Sequence, residues 1–296
     1  MLLSDVRQPL PDMSEHQWQT TEQDPFEPAV PAPLWKSLPV FLLMLPLTVL
    51  GFVILVPVSV LFFVVYGSLK GRSKDVLGKI IAANILFITR FKVNVLDYSE
   101  GAHARIFVSN HVCLLEAMMV VRAIGHIRFI AAEFARNLPI FGVLIGVGDP
   151  LFVERSKGKS NTVERMNQSL KNTTYRHFLF PEGAYENGSA LLRFKTGAFV
   201  TGEPVTPILF HYPTYIPFWN REESSFFVQI YRFISRIYTP VQMVILPVYQ
   251  PTDQERADPS VYAENVRKRM SFYLQRDLSV YDNRDSPNYK KDRAMA

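Results

Sequence analysis

The chain has 296 residues with 48% hydrophobic, 13% aromatic and 20% charged residues, and it carries a formal net charge of +5 at pH 7. This length allows one catalytic domain with appendages, and the mild basic excess suits an anionic bilayer surface or phosphate-bearing substrates rather than nucleic acid, because no nucleic-acid motif occurs. Cys113 is the only cysteine, which excludes an intrachain disulfide and a cysteine-ligated zinc site.

The first 34 residues contain six acidic residues, one basic residue and six prolines without sustained periodicity. This composition predicts a disordered tail over residues 1–34. Residues 37–69 then carry no charge, which indicates a membrane segment. One helix of that length would extend about 50 Å against a hydrocarbon core of about 30 Å, so it either tilts as a single span or turns back as a hairpin. Pro46, Gly51 and Pro57 favour the hairpin.

A basic cluster follows the uncharged segment at once and predicts a cytosolic location for the chain beyond it. Residues 76–91 are apolar but interrupted by polar side chains, which predicts a helix lying in the membrane interface. The membrane anchor is therefore predicted to cover residues 35–92. The basic cluster consists of Lys70, Arg72, Lys74 and Lys79.

Residues 93–277 alternate short β-branched and aromatic runs with helical stretches. This alternation predicts a mixed α/β domain with a central sheet flanked by helices. A final helix is predicted from Asp258 and Pro259, as cap and first turn, to about Gln275, and residues 278–296 are predicted to form a polar C-terminal tail. The predicted strands lie at 105–109, 126–131, 150–154, 175–180, 204–210 and 241–249, with a helix near 160–171.

A histidine follows the first of these strands directly. His111 comes after Asn110, and Glu116 lies five positions further on. Within one continuous helix His111 and Glu116 would be about 140° apart and could not meet, so contact requires His111 to precede the helix. Glu116 would then accept a hydrogen bond from the imidazole and leave its other nitrogen to take a proton. Alone, a histidine after a strand is more often structural.

A second polar element is the sequence FPEGAYENGSALLRFKTGAF at 180–199. Here a strand ends at Pro181 and opens into a turn that carries Glu182 and Gly183, which indicates a polar pocket. The alternative interpretation is that Gly183 serves only a tight turn and Glu182 only caps a helix.

Taken together, the NH-x4-acid block and the later FPEG and FKTGAF sequences resemble the glycerolipid acyltransferase superfamily, whose usual motifs are NHxxxxD and FPEGTR. FVERSK at 152–157 and EPVTPI at 203–208 resemble its second and fourth blocks. Residues 194–213 and 245–270 are similar to the lysophosphatidylcholine and lysophosphatidylethanolamine acyltransferases. The resemblance covers about residues 100–275.

This resemblance implies acyl-CoA-dependent transfer of a fatty acyl chain to the free hydroxyl of a lysophospholipid, at the cytosolic face of the endoplasmic reticulum or a related endomembrane. Acyl-CoA, the lysophospholipid and the bilayer are then the partners, and no metal or cofactor is needed. His111 would be the general base, Glu116 its partner and Arg155 a phosphate contact. The acceptor site would include Glu182, Gly183, Lys195 and Gly197, with support from Asn110, Phe180 and Pro181, and backbone donors near Gly183 or after His111 are candidates for an oxyanion hole.

Three departures from the family pattern keep alternatives open. Glu116 replaces the usual Asp, while Ala184 and Tyr185 stand where FPEGTR has Thr and Arg. Loss of that arginine weakens a phosphomonoester acceptor, which would need more cationic partners. The alternatives are a 1-acylglycerol-3-phosphate acyltransferase, a hydrolase or CoA-independent transacylase, and a catalytically silent lipid-binding or scaffold homologue. Absence of G-x-S-x-G argues against a serine hydrolase.

Overall fold

The computed structural model of the chain describes residues 10–14, 16–25, 34–66, 69, 71–113, 115–125, 127–132, 150–153, 164–165, 167–170, 176–213 and 231–285. Its helices are α1 Leu34–Tyr66, α2 Gly71–Ile88, α3 Glu116–Ile124, α4 Asp253–Ala257 and α5 Pro259–Leu274. Its strands are β1 Thr20–Thr21, β2 Phe91–Asp97, β3 Ile106–Ser109, β4 Arg128–Ala132, β5 Leu151–Val153, β6 His177–Leu179, β7 Ala190–Leu191, β8 Val205–His211, β9 Thr239–Ile245 and β10 Asp277–Ser279.

A central sheet organises the domain. Over the described residues its strand order is β2-β9-β8-β3-β6-β4-β5, and every neighbouring pair is parallel except β8 and β9. All four residues of β3 are buried, as expected for the apolar middle strand of a sheet that is covered on both faces. The predicted α/β class with a central sheet is confirmed.

Most predicted elements agree with the structure to within a few residues. The predicted final helix is α5, where the Asp258 carboxylate accepts a hydrogen bond from the Ser260 N–H and Pro259 occupies the first turn. The described residues 164–165 and 167–170 of the predicted helix near 160–171 are helical. Local capping chemistry therefore predicted the bounds of this helix well.

The long apolar segment differs from its prediction. α1 is continuous through Pro39, Pro46 and Pro57, so the predicted turn between the last two prolines is wrong. Each proline removes one N–H donor, but packing of α1 on α2 and on the domain core supports the helix. The predicted helix at 76–91 is present as α2, which runs back along α1 and brings Ile88 beside Gly51. Among the residues that the structure describes, no helix is long and apolar enough to cross a membrane.

The prediction of disorder over residues 1–34 is wrong for the described part of that tail. β1 pairs in parallel with β10, and the indole N–H of Trp18 donates to the Lys268 carbonyl over 3.1 Å. The His16 ring packs edge-on against Phe272 with centroids 4.7 Å apart. Two aromatic side chains therefore attach a segment whose acidic and proline-rich composition concealed them.

The domain also extends beyond residue 277, where a polar tail was predicted. β10 lies between β1 and β7 in a small parallel sheet, and Leu278 is buried. The Arg193 N–H donates to the Tyr281 carbonyl over 3.0 Å. A three-residue strand with one buried apolar side chain is too short to show an apolar pattern in the sequence.

Candidate active site

Three neighbouring strands bring the candidate residues to one edge of the sheet. β6, β3 and β8 are adjacent and parallel, so their carboxyl ends meet there. Asn110 and His111 follow β3, residues 180–183 follow β6, and Tyr212 follows β8. The carboxyl edge of a parallel sheet is the usual position of a site in this class of fold.

His111 and Glu116 meet in the way that their spacing required. His111 lies in the loop after β3, and α3 begins at Glu116. The His111 Nδ1 and the Glu116 Oε2 are 2.8 Å apart. Among the described residues no protein group bonds the opposite nitrogen, Nε2, which is therefore available to a substrate.

The Glu116 carboxylate is the centre of a buried hydrogen-bond network. Its Oε1 accepts from the Val112 N–H over 3.1 Å, from the Cys113 N–H over 2.9 Å and from the Tyr212 hydroxyl over 2.8 Å. Sequence reasoning missed Tyr212, because only the adjacency of β8 and β3 brings it to the site. The two amides fold the loop around the acid, and Tyr212 fixes its orientation.

The protonation states follow from burial and from this network. Burial lowers the pKa of His111 well below its ordinary value, so the imidazole is neutral near pH 7. Burial raises the pKa of the Glu116 carboxyl, and the Tyr212 hydroxyl and the two loop amides oppose that rise. Because Oε1 already accepts from three donors, the ionised form suits the network, and Nδ1 then carries the imidazole proton and donates it to Oε2. This tautomer leaves a lone pair on Nε2, as a general base requires.

Glu182 contacts the backbone of His111 rather than its imidazole. It is fully buried, and its two oxygens accept from the N–H groups of His111 and Leu192, each over 2.9 Å. The Glu186 N–H in turn donates to the His111 carbonyl over 3.1 Å. Both carboxylate oxygens therefore bind the backbone, which gives Glu182 a positioning role, and its part in the acceptor site stays a prediction.

Asn110 and the aromatic residues complete the support of the base. The Asn110 side chain exchanges two hydrogen bonds with the Phe210 backbone, over 3.0 and 2.8 Å, and so ties the loop to β8. The Phe180 ring stacks on the His111 imidazole with centroids 3.5 Å apart and planes 12° apart. The Tyr185 ring packs against the same imidazole with centroids 3.9 Å apart. Two of the three predicted supports, Asn110 and Phe180, thus contact the loop or the ring of His111, and Tyr185 adds a contact that was not predicted.

The turn after β6 requires its glycine. Gly183 has a φ of +72°, and a Cβ there would lie 2.7 Å from the Lys195 Nζ. Lys195 therefore lies over this turn, and its own N–H donates to the Pro181 carbonyl over 2.9 Å. Gly197 lies in the short 3-10 helix Thr196–Ala198, where an added Cβ would meet nothing within 4 Å, so space does not demand glycine there.

The remaining predicted groups have different outcomes. Arg155 lies outside the described residues. The predicted oxyanion donors at Gly183 and after His111 are already engaged, because the Gly183 N–H donates to the Phe180 carbonyl and the amides after His111 donate to Glu116.

Cys113 is fully buried, and burial raises the pKa of its thiol, so it lacks the thiolate of a nucleophile. Within the described ranges, no three His, Cys, Asp or Glu side chains cluster as a metal site would require.

The role of Glu182 predicts a stability effect. Glu182→Ala leaves the N–H groups of His111 and Leu192 buried without acceptors, at about 1–3 kcal/mol each. We expect the melting temperature to fall by roughly 5–15 °C, with a parallel loss of activity. Differential scanning fluorimetry would measure this, with the exposed Glu164→Ala as the control. Equal melting temperatures for the two variants would contradict the positioning role.

Comparison with known proteins places these residues within a recognised domain. A family model described as Acyltransferase matches residues 90–211. Lysophospholipid acyltransferase LPCAT4 of Xenopus tropicalis is 36% identical over 152 residues, which is 49% of this chain and 29% of that protein. Lysophospholipid acyltransferase LPEAT1 of Arabidopsis thaliana is 34% identical over 174 residues, which is 55% of this chain and 43% of that protein. Human lysophosphatidylcholine acyltransferase 1 is 32% identical over 157 residues, which is 51% of this chain and 29% of that protein.

A solved structure shares the fold. The 1-acyl-sn-glycerophosphate (LPA) acyltransferase PlsC from Thermotoga maritima aligns with a TM-score of 0.51 at 18% identity, over 79% of this chain and 96% of that one. The chain covers between 29% and 43% of the length of the three curated relatives above. The segment 90–211, which contains His111, Glu116 and Glu182, therefore matches the acyltransferase family model and is similar to lysophospholipid acyltransferases, whereas Tyr212 follows directly after it.

Proposed function

We propose that the protein transfers a fatty acyl chain from acyl-CoA to the free hydroxyl of a lysophospholipid, with His111 as the general base. The observation that carries the proposal is the 2.8 Å contact between the His111 Nδ1 and the buried Glu116 carboxylate, while no group in the described part of the chain bonds Nε2 at the sheet edge. A neutral imidazole that is oriented by an acid can deprotonate a hydroxyl.

The reaction is a direct transfer. The His111 Nε2 takes the proton of the acceptor hydroxyl while its oxygen attacks the thioester carbonyl carbon, and the carbonyl becomes an oxyanion. Collapse of this intermediate breaks the carbon–sulfur bond, and coenzyme A leaves with the proton that the imidazolium returns. Glu116 stabilises the imidazolium in between. The N–H groups of Ala184 and Tyr185, which bond no other group in the described structure, are the remaining candidates for oxyanion donors in this turn.

The acceptor class is proposed from the relatives and from the turn after β6. The relatives are named as lysophospholipid and lysophosphatidylcholine acyltransferases. In this chain the turn carries Ala184 and Tyr185, neither of which is cationic. Lys195 lies over this turn, but the arginine of the FPEGTR pattern is missing, and a site with fewer cations suits the single charge of a phosphodiester head group better than a phosphomonoester.

A panel of acceptors tests this proposal. Purified protein would be incubated with radiolabelled acyl-CoA and with lysophosphatidylcholine, lysophosphatidylethanolamine or lysophosphatidic acid. We expect diacyl product with at least one phosphodiester acceptor and a lower kcat/KM with lysophosphatidic acid. Preference for lysophosphatidic acid would instead support the alternative 1-acylglycerol-3-phosphate acyltransferase.

The proposed role of Arg155 has its own test. If its guanidinium contacts the acceptor's phosphate, Arg155→Ala should raise the KM for the lysophospholipid by about 10- to 100-fold and leave the KM for acyl-CoA nearly unchanged. Initial rates with each substrate varied in turn would separate the two constants. A rise confined to the KM for acyl-CoA would reassign the arginine to the donor.

The bilayer is the proposed partner of α1. One stripe of α1 faces the domain at helical spacing, and the described residues on its other sides are mostly exposed and apolar, which suits contact with lipid. The domain-facing stripe contains Ser37, Phe41, Met44, Thr48 and Gly51. The exposed residues include Leu42, Leu43, Leu47, Leu50, Val53 and Leu61.

The tail and the catalytic domain should lie on the same side of that membrane. β1, which precedes α1, pairs with β10, which follows the domain, so a span that exports the tail would break this pairing. The basic cluster after α1 places both in the cytosol, at the endoplasmic reticulum or a related endomembrane. We therefore propose that α1 lies along the cytosolic face of the membrane without crossing it, which keeps the tail, the basic cluster and the catalytic domain on one side.

Protease access tests this topology. An N-terminal tag should be digested in sealed microsomes without detergent, and the sequons at Asn167, Asn172 and Asn187 should carry no glycan. Immunoblotting and glycosidase treatment would record both results. A protected tag would establish a complete span instead, and a glycan on any of the three sequons would place the catalytic domain in the lumen.

A further inference from the structure

The two faces of the His111 imidazole are both covered by aromatic rings. The Phe180 ring is nearly parallel to the imidazole, with ring centroids 3.5 Å apart. The Tyr185 ring centroid lies 3.9 Å from that of the imidazole, and the two planes are inclined by 34°. Two rings this close cannot share one face, so they lie on opposite faces and leave only the ring edge with Nε2 open. Phe180 belongs to the FPEG sequence, whereas Tyr185 comes from the turn beyond it.

The charged and titratable groups around the imidazole are mainly acidic or neutral. Glu116 contacts its edge from α3, while Glu182 and Glu186 bond its backbone from the turns after β6 and before β7. Tyr212 and Cys113 approach through the Glu116 network. Glu116 and the two rings are thus the groups in direct contact with the imidazole, and the positive charge that forms on it during turnover must be stabilised largely by them.

We propose that Tyr185 is a positioning residue for the base, whose ring closes the second face of the imidazole against water and stabilises the imidazolium formed when Nε2 takes the acceptor proton. The face of an aromatic ring attracts a cation within about 6 Å of its centroid, and the attraction grows when water is excluded. This inference rests on the proposed function for its catalytic consequence, although the ring contact itself exists without substrate.

Two substitutions separate the ring from the hydroxyl. Tyr185→Phe keeps the ring, so its activity should stay within about twofold of wild type. Tyr185→Leu keeps an apolar cover but removes the π face, and kcat should fall by about 3- to 30-fold. Because the protonated imidazole then loses a favourable contact, the pKa of His111 should fall, and the acid limb of kcat/KM should move to lower pH by about 0.4–1.5 units. The exposed Tyr238→Leu is the matched control.

A second readout does not depend on turnover. Diethyl pyrocarbonate acylates the neutral imidazole, so the modification rate of His111 against pH, followed by peptide mass spectrometry, reports its titration directly. The midpoint should lie lower in Tyr185→Leu than in wild type and unchanged in Tyr185→Phe. If wild type transferred no acyl group, the proposed function would fail while this arm still tested the ring contact.

The opposing outcomes are distinct. Identical pH profiles and midpoints for wild type and Tyr185→Leu would overturn the proposal. Equal losses in Tyr185→Phe and Tyr185→Leu, with the acid limb unmoved, would also overturn it and assign the hydroxyl to substrate binding. If Tyr185→Leu did not fold by circular dichroism, Tyr185→Met would replace it with the same expected shift.

Discussion

His111→Ala is expected to abolish acyl transfer, with a fall in kcat of about 10²- to 10⁴-fold, because the imidazole supplies the base at the sheet edge. The effect should be confined to chemistry. The backbone bonds of His111 to Glu182 and Glu186 do not involve its side chain, and α1 lies elsewhere, so expression and membrane association should persist. Steady-state rates with saturating acyl-CoA and acceptor would measure the loss.

His103→Ala is the matched control for this experiment. His103 precedes β3 and so lies at the opposite edge of the sheet, 3.4 Å from Asp97. It should keep activity near that of wild type. If His111→Ala retained more than roughly a tenth of the wild-type rate, another group would have to be the base.

Glu116→Gln should be nearly as damaging although it preserves shape. The amide oxygen suits the position of Oε1, where three donors converge, and this places the NH2 group opposite the His111 Nδ1. Nδ1 must then accept, so the imidazole proton moves to Nε2 and the base nitrogen is blocked. We expect kcat to fall by about 10²- to 10⁴-fold, as expected when the orienting acid of a catalytic histidine is replaced by its amide.

Glu116→Asp distinguishes charge from reach. The carboxylate is retained one methylene shorter, so activity should remain within about tenfold of wild type. Rates and melting temperatures of both variants would be compared, since loss of folding would lower activity without informing on the tautomer. A fully active Glu116→Gln variant would reduce Glu116 to a residue that only shapes the start of α3.

The contact between His111 and Glu116 was predictable because five residues of separation allow it in one arrangement, with the histidine before the helix and the acid at its start. The contribution of Tyr212 was not predictable. It depends on β8 lying beside β3, and strand order arises from long-range packing that no local pattern encodes. The burial of Glu182 was missed for a similar reason, since its two partners are backbone amides of distant segments.

The N-terminal region shows a different limit of sequence reasoning. α1 remains continuous although Pro46, Gly51 and Pro57 predicted a turn, because packing of the helix on α2 and the domain core outweighs that local preference. Composition predicted disorder in the tail, whereas a two-residue strand and the contacts of Trp18 hold its described part on the domain. Such contacts are too few to alter an average composition over thirty residues.

The dependence of coenzyme A release on the acceptor tests the central claim most directly. Purified protein would be mixed with acyl-CoA in detergent or vesicles, free thiol would be followed with a chromogenic disulfide, and diacyl product would be quantified in the same samples. The account predicts thiol release only when a lysophospholipid is present, one molecule for each molecule of product, and its loss in His111→Ala. Equal thiol release without acceptor would identify a hydrolase instead, and no release with any lysophospholipid would contradict the proposed acyl transfer.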